Sequence, residues 1–363
     1  MKIVDLRLGM LRAPLRTPFK TALRTVNAVE DLVVMLHADD GRIGYGSAPA
    51  TAVITGDTHG SMREAIARYI APRVIGQDIA DLRHLLGGIQ GAIERNGNAK
   101  AAVEIAVHDL WAQHYDAPLY RLLGGGTPVI RTDLTISVDT IETMVADALT
   151  AIDRGFDALK IKVGKDIDVD IERVRAIHDA VGDRASLRLD ANQGWSAKEA
   201  VRALHALENT GVRLDLVEQP VKAHDIDGLR YVTERVATPV MADESVFGPR
   251  EALALIQRRA ANIINIKLTK SGGLSNALRI ADLAALHGVE CMIGCMLESS
   301  IGVAAAAHLA VARADVITRV DLDAPSLCVD DPVDGGARFD ASTITLSDAP
   351  GLGIRRIHGL EAL

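Results

Sequence analysis

The chain has 363 residues, 48% of them hydrophobic, and carries 48 acidic against 40 Lys and Arg side chains for a net charge of −8. That acidic balance argues against nucleic acid or an anionic membrane as partner, and no run of 18 uncharged apolar residues offers a membrane span. MKIVDLRLGM lacks the continuous apolar core of a secretory signal, so a cytoplasmic protein is expected, its Cys291, Cys295 and Cys328 too few and too irregular for a disulfide framework or a zinc site. They read as buried free thiols.

In chain order, KIVDLRL and DLVVMLHADDGRIGYGSAP alternate apolar and polar residues, with DDG as a hairpin turn. Between them PLRTPFKTALRT is polar and carries two prolines, so a loop is expected there. From Thr58 to about Leu123 the period becomes helical, with Met62, Ile66 and Ile70, then Ala102, Ile105, Ala106 and Leu110 on repeating faces. Gly124 to Gly126 and Pro128 mark a boundary. Residues 1–125 thus read as an α+β domain, with residues 330–363 returning to it as short strands.

Residues 126–329 alternate strands and helices. DLTISV, ALKIKV, SLRLD, LDLVEQ, PVMAD, IINIKL, VECMIG and ITRVDLD are eight strand candidates, separated by helical runs such as DIERVRAIHDAV. This pattern suits a β/α barrel. An open doubly wound sheet would want a glycine-rich phosphate turn after its first strand, and none follows DLTISV.

Asp190, Glu218 and Asp243 each close one of these strands, 28 and 25 residues apart, while Lys162 and Lys267 bracket the set. In a closed parallel barrel successive strand ends converge on one face, where such barrels place their chemistry. Three carboxylates gathered there repel one another unless a cation lies between them. Oxygen ligands without His or Cys suit Mg²⁺, or Mn²⁺, rather than zinc. Lys160 and Lys162, two apart, point to the same face of their strand. Two lysines flanking a bound substrate can remove a proton from one side and return it to the other. The competing structural readings are strand-end acids capping the next helices and lysines that only salt-bridge the acids.

KIKVG, RLDANQGW, VEQP, MADES and NIKLTKSGGL, in this order, resemble the enolase superfamily and, within it, the muconate lactonizing enzyme subgroup. The resemblance implies a modified (β/α)7β barrel of TIM type with an N-terminal α+β capping domain. It implies Asp190, Glu218 and Asp243 as Mg²⁺ ligands and Lys162 with Lys267 as the acid/base pair. Lys160 would tune Lys162 and touch a substrate carboxylate, and Asn192 would orient a metal ligand. The shared half-reaction is proton abstraction next to a carboxylate, through an enediolate.

Within the subgroup, VDLDAP puts Asp321 and Asp323 at a strand end, where two carboxylates attract an ammonium. This pair, with PFKTALRT and VITGDT, is similar to the dipeptide epimerases of the L-Ala-D/L-Glu type, which implies a small dipeptide substrate and cell-wall peptide metabolism. Alternatives are an N-succinylamino acid racemase or o-succinylbenzoate synthase, a muconate-type cycloisomerase, or a non-catalytic barrel. Lys20 and Arg24 lie in the polar segment, and Arg24 could grip an acidic second residue. Glu298 could meet Lys267 or the substrate, or begin a helix. Ser47 stands where relatives often carry an acid, and His108 and His308 read as packed. A homo-oligomer is expected.

Overall fold

The computed structural model of this chain describes residues 1–20 and 25–363. It begins with three antiparallel strands, β1 (Ile3–Lys20), β2 (Thr25–Ala38) and β3 (Ile43–Pro49). The β2–β3 hairpin turns at Asp39–Gly41, as DDG predicts, with Gly41 at φ +89°.

The loop expected at PLRTPFKTALRT is instead largely strand. β1 runs on to Lys20, pairing Pro14 with Ala28 and resuming at Phe19 opposite Val26. The extra residues of β1 bulge out between those two pairs, and a bulge accommodates prolines that cannot donate to a ladder. Arg24 falls outside the described residues.

Helices then cover one side of this sheet: His59–Ala65, a π-helical stretch at Ile66–Ile70, Leu82–Gln90 and the long Gly97–His114. Met62, Ile66, Ile70, Ala102, Ala106 and Leu110 are fully buried in the resulting core. Helix Gly97–His114 approaches β3 so closely that a Cβ on Gly46 would lie 2.0 Å from the Ala102 carbonyl oxygen.

After β4 (Val129–Arg131) all eight expected barrel strands appear in order. They are β5 (Leu134–Ile136), β6 (Ala158–Lys162), β7 (Ser186–Asp190), β8 (Leu214–Glu218), β9 (Val240–Ala242), β10 (Ile263–Ile266), β11 (Glu290–Gly294) and β12 (Ile317–Asp321). Neighbours are parallel throughout. The β5–β12 seam is drawn together by the Asp133 N–H donating to the Val320 carbonyl (3.3 Å) and the Thr135 N–H donating to Asp323 Oδ2 (2.7 Å). Ser300–Ala312 is buried on every side, which its SIGVAAAAHLAVA composition permits.

The tail forms β13 (Val333–Gly335), β14 (Arg338–Asp340), β15 (Thr343–Thr345), β16 (Ile354–Ile357) and β17 (Glu361–Ala362). β14 and β15 extend β4 into a small sheet, β13 pairs with β16, and only β17 joins the edge of β1 in the first sheet.

Candidate active site

Strand register builds the site. Lys162 on β6 pairs with Asp190 on β7, which pairs with Glu218 on β8, so the three side chains share one level of the barrel. Asp243 follows the end of β9, and Lys267 follows the end of β10. All five are buried.

The ammonium groups lie among the acids. Lys162 Nζ donates to Asp190 Oδ2 (2.5 Å) and Lys267 Nζ to Asp243 Oδ2 (2.9 Å). Lys160 Nζ stands 2.6 Å from Glu218, 2.7 Å from Asp321 and 3.2 Å from Asp190. Burial alone would raise Asp190 and Asp243, but Lys162 and Lys160 hold the first, and Lys267 and Lys270 the second, well below the usual carboxylate range. Glu218 goes the other way, pushed up to about 8 by burial and the Asp190 charge. Burial works against the charged form of Lys267, yet Asp243 and Glu218 carry it well above its ordinary value.

Asn192, at a left-handed φ of 42°, donates its backbone N–H to Asp190 Oδ1 (2.9 Å) and its amide to Asp190 and Glu244, both at 3.3 Å. These hydrogen bonds brace the Asp190 carboxylate. Asp321 and Asp323 are buried rather than solvated. Asp321 is held by Lys160, whereas Asp323 accepts the Thr135 N–H and is pushed up to about 6 by burial and by Asp321. Glu298 sits just before helix Ser300–Ala312 rather than in it, its Oε1 accepting the Met296 N–H (2.8 Å) and its carboxyl raised to about 8 by burial and by Asp31.

Ser47 is an anchor despite lacking a charge. Its hydroxyl donates to Asp31 Oδ2 (3.0 Å) and meets the Ser299 hydroxyl (3.0 Å), while the Ser299 N–H also donates to Asp31 (2.9 Å). The acid that ties the first sheet to the barrel is therefore Asp31, one strand over. Lys20 is engaged with Asp139 at 2.6 Å. His108 and His308 are packed in helices, as the sequence suggested.

Several residues escaped the sequence reading. Asn265 donates to Glu218 Oε1 (2.7 Å), and Arg188 bridges Asp133 and Asp215 at 2.8 Å each deeper in the barrel. Both lie two residues before a recognised site residue, so strand alternation pointed to them. Lys270 donates to the Asp243 carboxylate and carbonyl. It lies on the short helix Leu268–Ser271, where alternation gives no signal.

The barrel with its acids and lysines at one end, closed by a separate sheet-and-helix domain, has a counterpart among known proteins. Residues 4–124 match the mandelate racemase / muconate lactonizing enzyme N-terminal domain, and residues 143–356 match the enolase C-terminal domain-like family. The chain belongs to the mandelate racemase / muconate lactonizing enzyme family. Within it, the chain is similar to the L-Ala-D/L-Glu epimerase of Clostridium acetobutylicum, 51% identical over 99% of this chain and 100% of the relative. The L-Ala-D/L-Glu epimerase of Bacillus subtilis, solved with bound substrate, superposes with a TM-score of 0.96 at 46% identity, over the whole of both chains. The dipeptide epimerase of Enterococcus faecalis, solved with Mg and L-Leu-L-Tyr, gives 0.95 at 41% identity, over 98% of this chain and all of the other. The expected kinship with the dipeptide epimerases is thereby borne out.

The family implies a divalent metal, and the donor set suits one. Asp190, Glu218 and Asp243 offer only hard oxygens. Glu218 Oε2 is buried and, although 2.6 Å from the Lys160 ammonium, makes no directed hydrogen bond. Among the described residues no three Asp, Glu, His or Cys side chains converge tightly enough to enclose an ion as they stand, because lysine nitrogens lie between them. The three acids have the right chemistry, in an ion-paired arrangement.

Proposed function

We propose that this protein is a Mg²⁺-dependent epimerase acting at the α-carbon of the C-terminal residue of a dipeptide, with L-Ala-L-Glu and L-Ala-D-Glu as substrates. The observation that carries this reading is the placing of Lys162 on β6 and Lys267 just past the end of β10, each ammonium on a different carboxylate of one buried cluster. The epimerase activities for which the relatives are named support it.

The two lysines would face opposite sides of the substrate α-carbon. One, in its neutral form, takes the α-proton and leaves an enediolate; the other, as an ammonium, returns a proton to the opposite face. Asp190, Glu218 and Asp243 would hold Mg²⁺, which supplies positive charge against the substrate carboxylate and competes with the ammonium groups for those acids. Lys160 would contact the same carboxylate. Asp321, whose Oδ1 has no hydrogen bond among the described residues, and Asp323 would receive the free α-amino group. Arg24 would meet an acidic second side chain, and a cytoplasmic setting agrees with three free thiols.

Incubation with L-Ala-L-Glu and Mg²⁺ in D₂O tests the proposal. Deuterium should enter the Glu α-position of both epimers, read by NMR. Absence of exchange with every dipeptide tried would overturn it. Because Lys160 partly neutralises Asp321, the N-succinylamino acid racemase reading stays in view, and exchange restricted to N-acylated substrates would favour it.

A further inference from the structure

A chain of charges runs through the barrel to the acids proposed to receive the substrate's α-amino group. Glu290 meets Arg319 (2.9 Å), Arg319 meets Asp215 (3.0 Å), Asp215 meets Arg188 (2.8 Å) and Arg188 meets Asp133 (2.8 Å). Acid and base alternate to that point. Beyond it the order breaks, because the next charges acting on Asp133 include two more acids, Asp321 and Asp323.

Asp133 immediately precedes β5 and is firmly held. Its N–H donates to the Val320 carbonyl (3.3 Å), and Arg188 Nη1 donates both to Asp133 Oδ2 (2.8 Å) and to that same carbonyl (3.1 Å). The neighbouring Thr132 hydroxyl accepts the Leu322 N–H (2.8 Å), so residues 132 and 133 bind the residues on either side of Asp321. Asp133 is only 1% exposed, and among the described residues its Oδ1 has no hydrogen-bond partner. A buried carboxylate oxygen left bare is costly, so the place calls for further positive charge.

The cations present do not cover the acids. Lys160 serves Asp321 but also Glu218 and Asp190, and Arg188 divides itself between Asp133 and Asp215. Asp323 accepts the Thr135 N–H and pairs with no cation among the described residues. Lys162 and Lys267 act on Asp321 without contact, each bonded to its own carboxylate. Cys295, just past β11, also faces the pair, and burial with the Asp321 charge holds its thiol neutral, well above its ordinary value. Burial and the Asp321 charge raise Asp133 too, against the pull of Arg188.

We infer that Asp133 is a positioning residue for the substrate's α-ammonium group, whose charge, added to those of Asp321 and Asp323, makes the site selective for a cation. The inference rests on the epimerase reading for its substrate, and Asp133 acts through the other two acids without touching that substrate. Until the ammonium arrives, three crowded carboxylates retain a proton among them. The incoming cation displaces it from its O–H to solvent, and no other bond changes.

Calorimetry near pH 6, in buffers of differing ionisation enthalpy, counts that proton. Mg²⁺-loaded protein is titrated with L-Ala-L-Glu and with N-acetyl-L-Ala-L-Glu; epimerisation does not interfere, since it returns the proton that it takes. The free dipeptide should release roughly half a proton more than the acetylated one, as for a carboxyl half-protonated at that pH. Asp133→Asn keeps an oxygen for Arg188 but removes the charge. It should abolish the difference and raise KM for L-Ala-L-Glu about tenfold, the low end of what a neighbouring charge contributes, with kcat unchanged. A purely structural Asp133 would instead lower kcat and leave the proton count alone. That result, or an unchanged KM, overturns the inference and leaves the epimerase reading standing. Should Asp133→Asn fail to fold, the wild-type count decides, and no excess release refutes the inference. If no dipeptide binds at all, the epimerase reading fails, and ethylammonium becomes the probe, against tetramethylammonium at equal ionic strength. Ethylammonium should bind wild type about tenfold more tightly than Asp133→Asn, and equal binding to both proteins refutes the inference.

Discussion

Lys160 on β6 reaches Asp321 on β12 across the barrel, Nζ to Oδ2, at 2.7 Å. The same ammonium lies within 3.2 Å of Asp190 and Glu218, so one cation serves three buried carboxylates. Lys160→Met should therefore cost about 3–5 kcal/mol of stability, the scale for a buried ion pair that loses one partner. Urea denaturation measures this. Mg²⁺ should restore part of the loss by replacing the missing charge, and an equal Mg²⁺ effect in mutant and wild type would contradict that.

The two lysines proposed as acid and base should fail in different ways. Lys162→Ala and Lys267→Ala should each abolish epimerisation, since every turnover needs both. Each variant should still exchange deuterium into one epimer, through the surviving base. The lost exchange should fall by about 10²–10⁴-fold, the usual contribution of a positioned base. Full epimerisation by either variant would point to a one-base mechanism.

Metal binding should be visible without turnover. With Mg²⁺ at ~100 times its dissociation constant the folded state should gain about 2.7 kcal/mol. EDTA should reverse the gain, and Glu218→Gln should not show it. A melting temperature in Glu218→Gln that rises with Mg²⁺ as in wild type would remove Glu218 from the ligand set.

Asp321→Asn and Asp323→Asn probe the proposed ammonium site. Losing a charged contact should lower kcat/KM for L-Ala-L-Glu by about 10–100-fold, equivalent to roughly 1.5–3 kcal/mol. An N-acetylated dipeptide, which has no ammonium, should lose much less. Equal losses on both substrates would assign the two acids a structural role.

Acid should unfold the protein partly through His308 and His108. Burial depresses them to about 3 and about 4, with His308 Nδ1 accepting the Tyr120 N–H at 2.9 Å. The unfolded chain binds protons to these groups more readily than the folded one. Their contribution is thus intact above about pH 6.5 and is lost toward the folded values, at roughly 1.4 kcal/mol per pH unit per histidine. Asp109, raised to about 6 by burial, acts oppositely, its folded form gaining stability as pH falls from 6 toward 4. Comparing wild type with His308→Asn across pH 4–7 isolates one histidine, and parallel curves would rule it out as the titrating group.

The eight barrel strands were legible because each carried a short apolar run at a regular pitch, and that pitch put Lys162, Asp190, Glu218, Asp243 and Lys267 at one end. The continuation of β1 was not, since Pro14 and Pro18 look like breakers until a bulge is seen to absorb them. Lys270 and Asp31 were hidden for another reason. One follows a strand on a helical turn, and the other reaches Ser299 only when two domains meet. Local pattern carries no information about such meetings.

Asp323 is at once a proposed contact for the substrate and the acceptor for the Thr135 N–H at the joint between the first and last barrel strands. Substrate preference and architecture are therefore written in one carboxyl group. A lineage drifting toward N-blocked substrates could discard the charge, but would still need an oxygen at that position. Asparagine is the cheapest exit, and a hydrophobic replacement at Asp323 would loosen the joint before it widened the choice of substrate.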